Sequence, residues 1–253
     1  MSLDSQALIH ADSWLNAPID KVDKLAIKAL KREDPDQFNE SFYKHLEFGT
    51  GGMRGIMRLG SNGINRYTIG QATQGLANAL KGTSKLSVAI ACDCRINSQY
   101  FAETAANVLA ANDIDVYLFD SLRPTPLLSF ALREKGCDAG IVITASHNPK
   151  AYNGYKVYGK DGGQIVPPQD ADILQSVRKV GIGDILWSGG QGRIHRLGED
   201  MDQSYINMLD SMQLTKARDL SVVFTSLHGT AITLLPEALK RFGFSQVHVL
   251  ASQ

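Results

Sequence analysis

A serine is offered where a strand gives way to a turn: Thr144-Ala145-Ser146-His147-Asn148-Pro149 follows the apolar run Gly140-Ile141-Val142-Ile143. A β-branched run of that kind reads as a buried strand, and Asn-Pro ends it. Ser146 then lies at the strand's carboxyl end, where open α/β sheets present their reactive groups. A hydroxyl there can be a nucleophile or a carrier of a transferable group; the bland alternative is a serine that only shapes the turn. A serine hydrolase fits poorly. Ser146 and His147 are neighbours, whose side chains normally diverge, and the Gly-x-Ser-x-Gly elbow is absent.

Other segments carry groups that suit an anion. Phe48-Gly49-Thr50-Gly51-Gly52-Met53-Arg54-Gly55 combines glycine-freed N–H groups with one guanidinium, a set that suits a phosphate; it can equally be a bare turn. The glycines make it too flexible for a regular element. Asp93 and Arg95 also follow a strand-like run, either as site groups or as a surface ion pair. In Arg123-Pro124-Thr125-Pro126 the prolines stiffen the approach to a helix. Lys156, next to Asn153-Gly154-Tyr155, is a proton donor or acceptor if partly desolvated, and otherwise a solvated strand lysine. Asn65-Arg66 and His228-Gly229 are open to either reading.

Elements must position these groups. Apolar spacing predicts helical structure through Trp14, Leu15, Val22, Leu25, Ala26 and Leu30, with a polar break at Asp34-Pro35-Asp36. A helix is expected from Tyr67 to Leu80. Strands at 87–92, 115–119 and 140–144 then alternate with helices at 100–110 and 126–135, which implies a sheet with helices packed on it. Residues 155–158 and 164–166 flank Gly159-Lys160-Asp161-Gly162-Gly163 and suggest an antiparallel hairpin. A short helix at 170–180, a glycine-rich surface loop at 181–192 and a helix at 201–212 follow. The last stretch reads as strand (220–225), helix (231–242) and strand (247–250), too little for an independent core. The expected division is a first domain over residues 1–200, with a helical extension at its start, and a connector plus the opening of a second domain over 201–253.

Composition narrows the class. Lys+Arg and Asp+Glu are equal at 26 each, so no net field draws nucleic acid or an anionic membrane. No apolar stretch approaches the roughly 18 residues of a membrane span, and the start lacks the pattern of a signal peptide. Cys92, Cys94 and Cys137 form no zinc pattern and read as reduced thiols of a cytoplasmic protein. Asp34-Pro35-Asp36 and Glu199-Asp200-Met201-Asp202 are acidic clusters expected to solvate helix ends.

Taken together, the segments 48–55, Asp93-x-Arg95, Pro124-Thr125-Pro126, 144–149 and Asn153-Gly154-Tyr155-Lys156 resemble the α-D-phosphohexomutase family of phosphoglucomutases and phosphomannomutases. They stand in that family's order, and the serine loop is the most specific of them. Leu227-His228-Gly229-Thr230 resembles a loop of the phosphoglucomutase-2-like branch, which also contains phosphopentomutases. The resemblance implies a mixed α/β sheet with helices on both faces. It implies phosphate movement between C1 and the C6 hydroxyl of a hexose phosphate, by way of a phosphoserine and a bisphosphorylated sugar. Ser146 would carry the phosphoryl group, whose oxygen completes a Mg2+ site. Lys156 would be the general acid/base, His147 would orient or protonate, and Arg54 would stabilise the transferring group. Thr50, Gly51, Arg54, Asp93, Arg95 and Asn148 would hold substrate or its phosphate, and a sugar bisphosphate would be the activator.

The family's Asp-Gly-Asp-x-Asp-Arg metal loop has no counterpart here, and one serine-held phosphate gives too few oxygen ligands for tight Mg2+ binding. Sugar phosphates are the expected partners, with a pentose phosphate substrate or a non-catalytic sugar-phosphate-binding module as alternatives; oligomeric state is not assigned. The chain reads as the N-terminal part of a longer mutase. It is therefore expected not to turn over sugar phosphate by itself, and appreciable turnover by the purified chain in a mutase assay would overturn that.

Overall fold

The structure, a computed structural model, describes residues 3–49, 51–80 and 85–250. Three helices lead: α1 (Ser5–Asn16), α2 (Lys21–Glu33) and α3 (Pro35–Phe42). The polar break at Asp34 joins two helices, because its carboxylate accepts from Gln37 N–H and Pro35 opens α3 without needing a donor. The helices share a small core of Trp14, Ile27, Phe38 and Phe42. Trp14 meets Phe42 and Tyr67 edge-on, at 5.7 and 5.4 Å between ring centres. The expected apolar stripe is displaced on α2. Val22 and Leu25 are exposed, and Ile27 is the buried residue.

The glycine-dense segment is not a free loop. Phe48–Gly49 (β1) and Gly52–Ile56 (β2) form an antiparallel hairpin. Next come α4 (Arg66–Ala79), β3 (Ser87–Cys92), α5 (Ser98–Ala111), β4 (Asp115–Phe119), α6 (Thr125–Glu134), β5 (Ala139–Ile143), β6 (Tyr152–Gly159) and α7 (Ala171–Lys179). Asn65 is the cap of α4. Its side chain accepts from the N–H groups of Tyr67 and Thr68, while Thr68 Oγ1 accepts from Asn65 N–H. Arg66 pairs with Asp20 at 2.5 Å, so both residues of that ambiguous pair have structural roles.

The remaining elements are β7 (Ile194–Leu197), α8 (Glu199–Asp210), β8 (Ser221–Phe224), α9 (Leu235–Arg241) and β9 (Gln246–Val249). The main sheet has seven strands in the order β1-β2-β6-β5-β3-β4-β7. Strands β5, β3, β4 and β7 are parallel; β6 is antiparallel to both β5 and β2. β3 and β5 are buried throughout or nearly so, because helices cover both faces. One face packs on α4, α5 and α7 through residues such as Leu76, Ala105, Leu109 and Val177. The other packs on α6 and α8 through Leu127, Leu128, Ala131 and Met201. Leu234 and Ala238, at the start of α9 and within it, join that second core. β8 and β9 form a separate parallel pair.

The expected hairpin after residue 158 is only partly formed. β6 has its two neighbours in β5 and β2, and residue 164 contributes a single bridge to Tyr158. The glycine-rich 181–192 segment is packed rather than free. Ile182 and Ile185 are buried, and a Cβ on Gly190 would lie 2.4 Å from the Ala110 carbonyl.

Asp202 corrects the expectation of a solvated acidic helix end. Arg123 grips its carboxylate with two 2.8 Å bonds, and the Arg123 side chain is only 7 % exposed. Burial works against the Arg123 charge, but hydrogen bonding and attraction from Asp202 outweigh it and hold the pKa above its usual value. The pair ties the β4–α6 turn to α8. Asp202→Ala should leave the buried guanidinium with the half-exposed Asp120, at 3.3 Å, as its carboxylate partner and lower stability by about 3 kcal/mol in urea unfolding. A change below about 0.5 kcal/mol, as for an exposed pair, would contradict this.

Candidate active site

β3 and β5 lie side by side in the sheet and end at the same edge, so their following loops meet there although Asp93 and Thr144 are 51 residues apart. Thr144 and Ala145 are buried and Ser146 is exposed. Ser146 has φ +53°, in the left-handed region, which costs an L residue about 1–2 kcal/mol. Hydrogen bonds hold it there. Thr144 Oγ1 accepts from Ser146 N–H at 3.0 Å and donates to Asp93 Oδ2 at 2.5 Å. Asp93 Oδ1 accepts from Arg95 N–H and from Ser98 Oγ. Asn153, fully buried, donates to Ser98 Oγ and to the Ile96 carbonyl and accepts from Gly154 N–H. Gly154 allows the close backbone approach, since a Cβ there would lie 2.6 Å from the Thr144 carbonyl.

Arg95 is the centre of this network. Its Nη2 donates to the carbonyls of Ser146 and Asn148 at 2.6 Å each, and its Nη1 to those of Pro149 and Tyr152 at 3.0 Å. Its Nε lies 3.5 Å from Asp93 Oδ2. Asp93 and Arg95, expected to hold a substrate phosphate, line the cavity and are engaged by the protein itself. Both Asp93 oxygens and the Arg95 guanidinium are taken up by the serine loop, so they position it.

Arg54, exposed on β2, donates from Nη1 to Asn148 Oδ1 at 3.0 Å, which brings it beside the loop. Ser146 Oγ and His147 Nδ1 are 3.3 Å apart. The expected divergence of these neighbours fails because the left-handed turn at Ser146 brings the two side chains together. Lys156 faces Val142 across the antiparallel β5–β6 pair, and directly opposed residues share a face of the sheet. Val142 lines the cavity beside Ser146; Lys156 is half-buried and does not. Gly51 is not brought to the serine. It is buried at the hairpin turn (φ +74°), packed by Gln164, with its carbonyl accepting from Val157 N–H. Thr50 lies outside the described residues.

The cavity has a volume of about 650 Å³. Its walls are Asp93, Cys94 and Arg95 on one side and Ser146, His147, Asn148 and Lys150 on another. A third side is Leu227, His228, Gly229 and Thr230, where Leu227 and His228 are also left-handed. Cys94 Sγ donates to the His228 carbonyl at 2.7 Å and so links the two loops. The reading of the residues missed Lys150, and left His228 undecided. Neither has a motif of its own, and only the loop packing places them here. Among the described residues neither Arg54 nor Lys150 pairs with a carboxylate, which leaves cations open to an anion at the serine.

Residues 45–181 match the family described as phosphoglucomutase/phosphomannomutase, alpha/beta/alpha domain I. The chain belongs to the phosphoglucomutase/phosphomannomutase family. A phosphoglucomutase of Staphylococcus epidermidis RP62A is 39% identical over 245 residues, covering 93% of this chain and 44% of that protein. One of Staphylococcus aureus N315 is 39% identical over 257 residues, covering 98% and 45%. The chain thus spans less than half the length of these relatives. Among solved structures, a candidate phosphomannomutase of Thermus thermophilus aligns at TM-score 0.71 with 25% identity, over 82% of this chain and 46% of the other. A phosphoglucomutase/phosphomannomutase family protein of Burkholderia thailandensis aligns at 0.61 with 25% identity, over 80% and 43%. Among the described residues no helix is long and apolar enough to cross a membrane.

The three thiols differ in reactivity. Burial pushes Cys92 up to about 12, with Asp93 adding to the shift, and Cys137 up to about 11. Cys94 is exposed in the cavity wall. Iodoacetamide near pH 8 should therefore label Cys94 alone in the native chain; peptide mass mapping that finds Cys92 or Cys137 labelled at a similar rate would contradict this.

Proposed function

We propose that Ser146 is the phosphoryl carrier of a phosphosugar mutase. The observation that carries this reading is an exposed hydroxyl, locked in a left-handed turn at the sheet's carboxyl edge, with Arg54, His147 and Lys150 around it. A phosphoserine brings about −1.5 to −2 charge, and phosphoryl transfer depends mainly on positioning and on neutralising that charge. The substrate is a hexose phosphate that exchanges its phosphate between the C1 and C6 hydroxyls through a bisphosphorylated sugar.

In the forward half-reaction a sugar hydroxyl oxygen bonds to phosphorus as the bond between phosphorus and Ser146 Oγ breaks. The hydroxyl's proton passes to Lys156, which shares a sheet face with the cavity-lining Val142 and must reach in from beside it, and His147, 3.3 Å from Ser146 Oγ, supplies the proton that the serine oxygen takes up. Arg54, fixed through Asn148, steadies the equatorial oxygens. The second half-reaction runs in reverse on the other phosphate and restores the phosphoserine, with sugar bisphosphate as activator of any unphosphorylated enzyme.

Mg2+ would neutralise phosphoryl charge in such an enzyme. The described residues contain no group of three or more His, Cys, Asp or Glu side chains able to hold a metal, and Asp93 is committed to the loop. The Ser146 phosphate is the one donor position this reading gives the ion here, and no step is routed through it.

Mass spectrometry of protein incubated with a hexose bisphosphate should find one phosphate, on Ser146, and none in Ser146→Ala. A serine that stays unmodified would favour a non-catalytic sugar-phosphate-binding module. In the active enzyme Lys156→Met should lower kcat by about 10²–10⁴-fold; an unchanged kcat would remove Lys156 from the proton transfer.

A further inference from the structure

A trans peptide unit is planar and points its carbonyl and its N–H in opposite directions. In the described residues the cis bond is at Pro167–Pro168, so the peptides of the serine loop are trans. Arg95 draws the carbonyls of Ser146 and Pro149 toward its guanidinium. The N–H groups of the same two peptide units belong to His147 and Lys150, and they must point away from Arg95. Both residues are exposed and line the cavity that contains Ser146.

Most other amides of the turn are occupied or missing; those of Ala145 and Ala151 also meet no acceptor among the described residues, but Arg95 holds the carbonyl of neither of their peptide units. Ser146 N–H donates to Thr144 Oγ1, Asn148 N–H to the Ala145 carbonyl and Tyr152 N–H to the Pro149 carbonyl; Pro149 has none. No protein acceptor meets the N–H of His147 or of Lys150 among the described residues. Two free donors thus sit in residues that line the cavity of Ser146, on peptide units whose oxygens are bound to a cation. Binding at the oxygen polarises each unit and makes its N–H a stronger donor. Preorganised backbone donors of this kind form anion-binding concavities.

We propose that the main-chain amides of His147 and Lys150 are a binding site for the phosphoryl group on Ser146, and that Arg95 is the positioning residue that aims them. The inference rests on the reading of Ser146 as a phosphoryl carrier and adds the groups that receive its oxygens. It also accounts for a guanidinium that donates to four carbonyls of one loop. Arg95 acts through the peptide units, and a lysine, with no planar fork, cannot hold four carbonyls at once.

The test is nuclear magnetic resonance on the whole chain, with phosphoserine installed at position 146 by codon reassignment and compared with the unmodified protein. The amide protons of His147 and Lys150 should move downfield more than any others in the chain and should exchange more slowly with solvent. In Arg95→Lys carrying the same phosphoserine, both effects should shrink markedly. Unmoved His147 and Lys150 amides in the phosphorylated wild-type chain would overturn the site, and equal shifts in a folded Arg95→Lys chain would overturn the role of Arg95. If Arg95→Lys does not fold, the wild-type comparison still decides the site. Because the phosphoserine is installed rather than acquired, failure of Ser146 to take phosphate from a sugar bisphosphate would count against the mutase reading alone.

Discussion

A single guanidinium gathers the carbonyls of residues 146, 148, 149 and 152, and the geometry of the serine loop follows from that contact. Such a cluster of carbonyl oxygens would be unfavourable if buried without donors, and a planar five-donor fork is the side chain able to satisfy several at once. Asp93 fixes the other end. It lies against the guanidinium and takes the hydroxyls of Thr144 and Ser98 and the N–H of Arg95, so the loop after β3 and the loop after β5 form one rigid unit. The left-handed backbone at Ser146 persists because the surrounding bonds over-determine it. An exposed serine in that state has its hydroxyl presented without further reorganisation, which is what a phosphoryl carrier needs.

The sheet order makes this contact possible. β3 and β5 are neighbours although β4 lies between them in sequence, and α5 and α6 leave to opposite faces. The crevice that opens where such connections part is the usual ligand position in open α/β sheets. β6 and β2 then extend the same edge, which brings Arg54 to Asn148 and sets Lys156 opposite Val142. Each is held by strand pairing rather than by a mobile loop, so the placement is firm.

A second buried ion pair serves the chain's later part. Arg123 and Asp202 join the β4–α6 turn to α8, and α8 shares its apolar contacts with α9. This side of the molecule carries the 227–230 loop to the serine cavity, where the Cys94 thiol meets the His228 carbonyl. The cavity is therefore built from segments far apart in the chain, and its walls depend on packing at a distance from the Ser146 hydroxyl.

The sequence by itself determined the alternation of strands and helices from residue 87 to 144, because helical and strand periodicities of buried residues are local properties. It also determined the serine loop, whose residue types and order are specific, and the closeness of Arg54 to Asn148 in that loop was consistent with its motifs. Other features depended on partners that periodicity does not reveal. The polar strand β7 exists because β4 offers it an edge, and Val22 and Leu25 face solvent because Ile27 found the core. Asp202 looks like a solvated helix-end charge in the sequence and Arg95 like a phosphate ligand or a surface ion pair, and only the tertiary structure places the first against Arg123 and the second beneath four carbonyls. A side chain's type limits which bonds it can make, whereas the bonds it does make are decided by which distant backbone atoms the fold brings within reach.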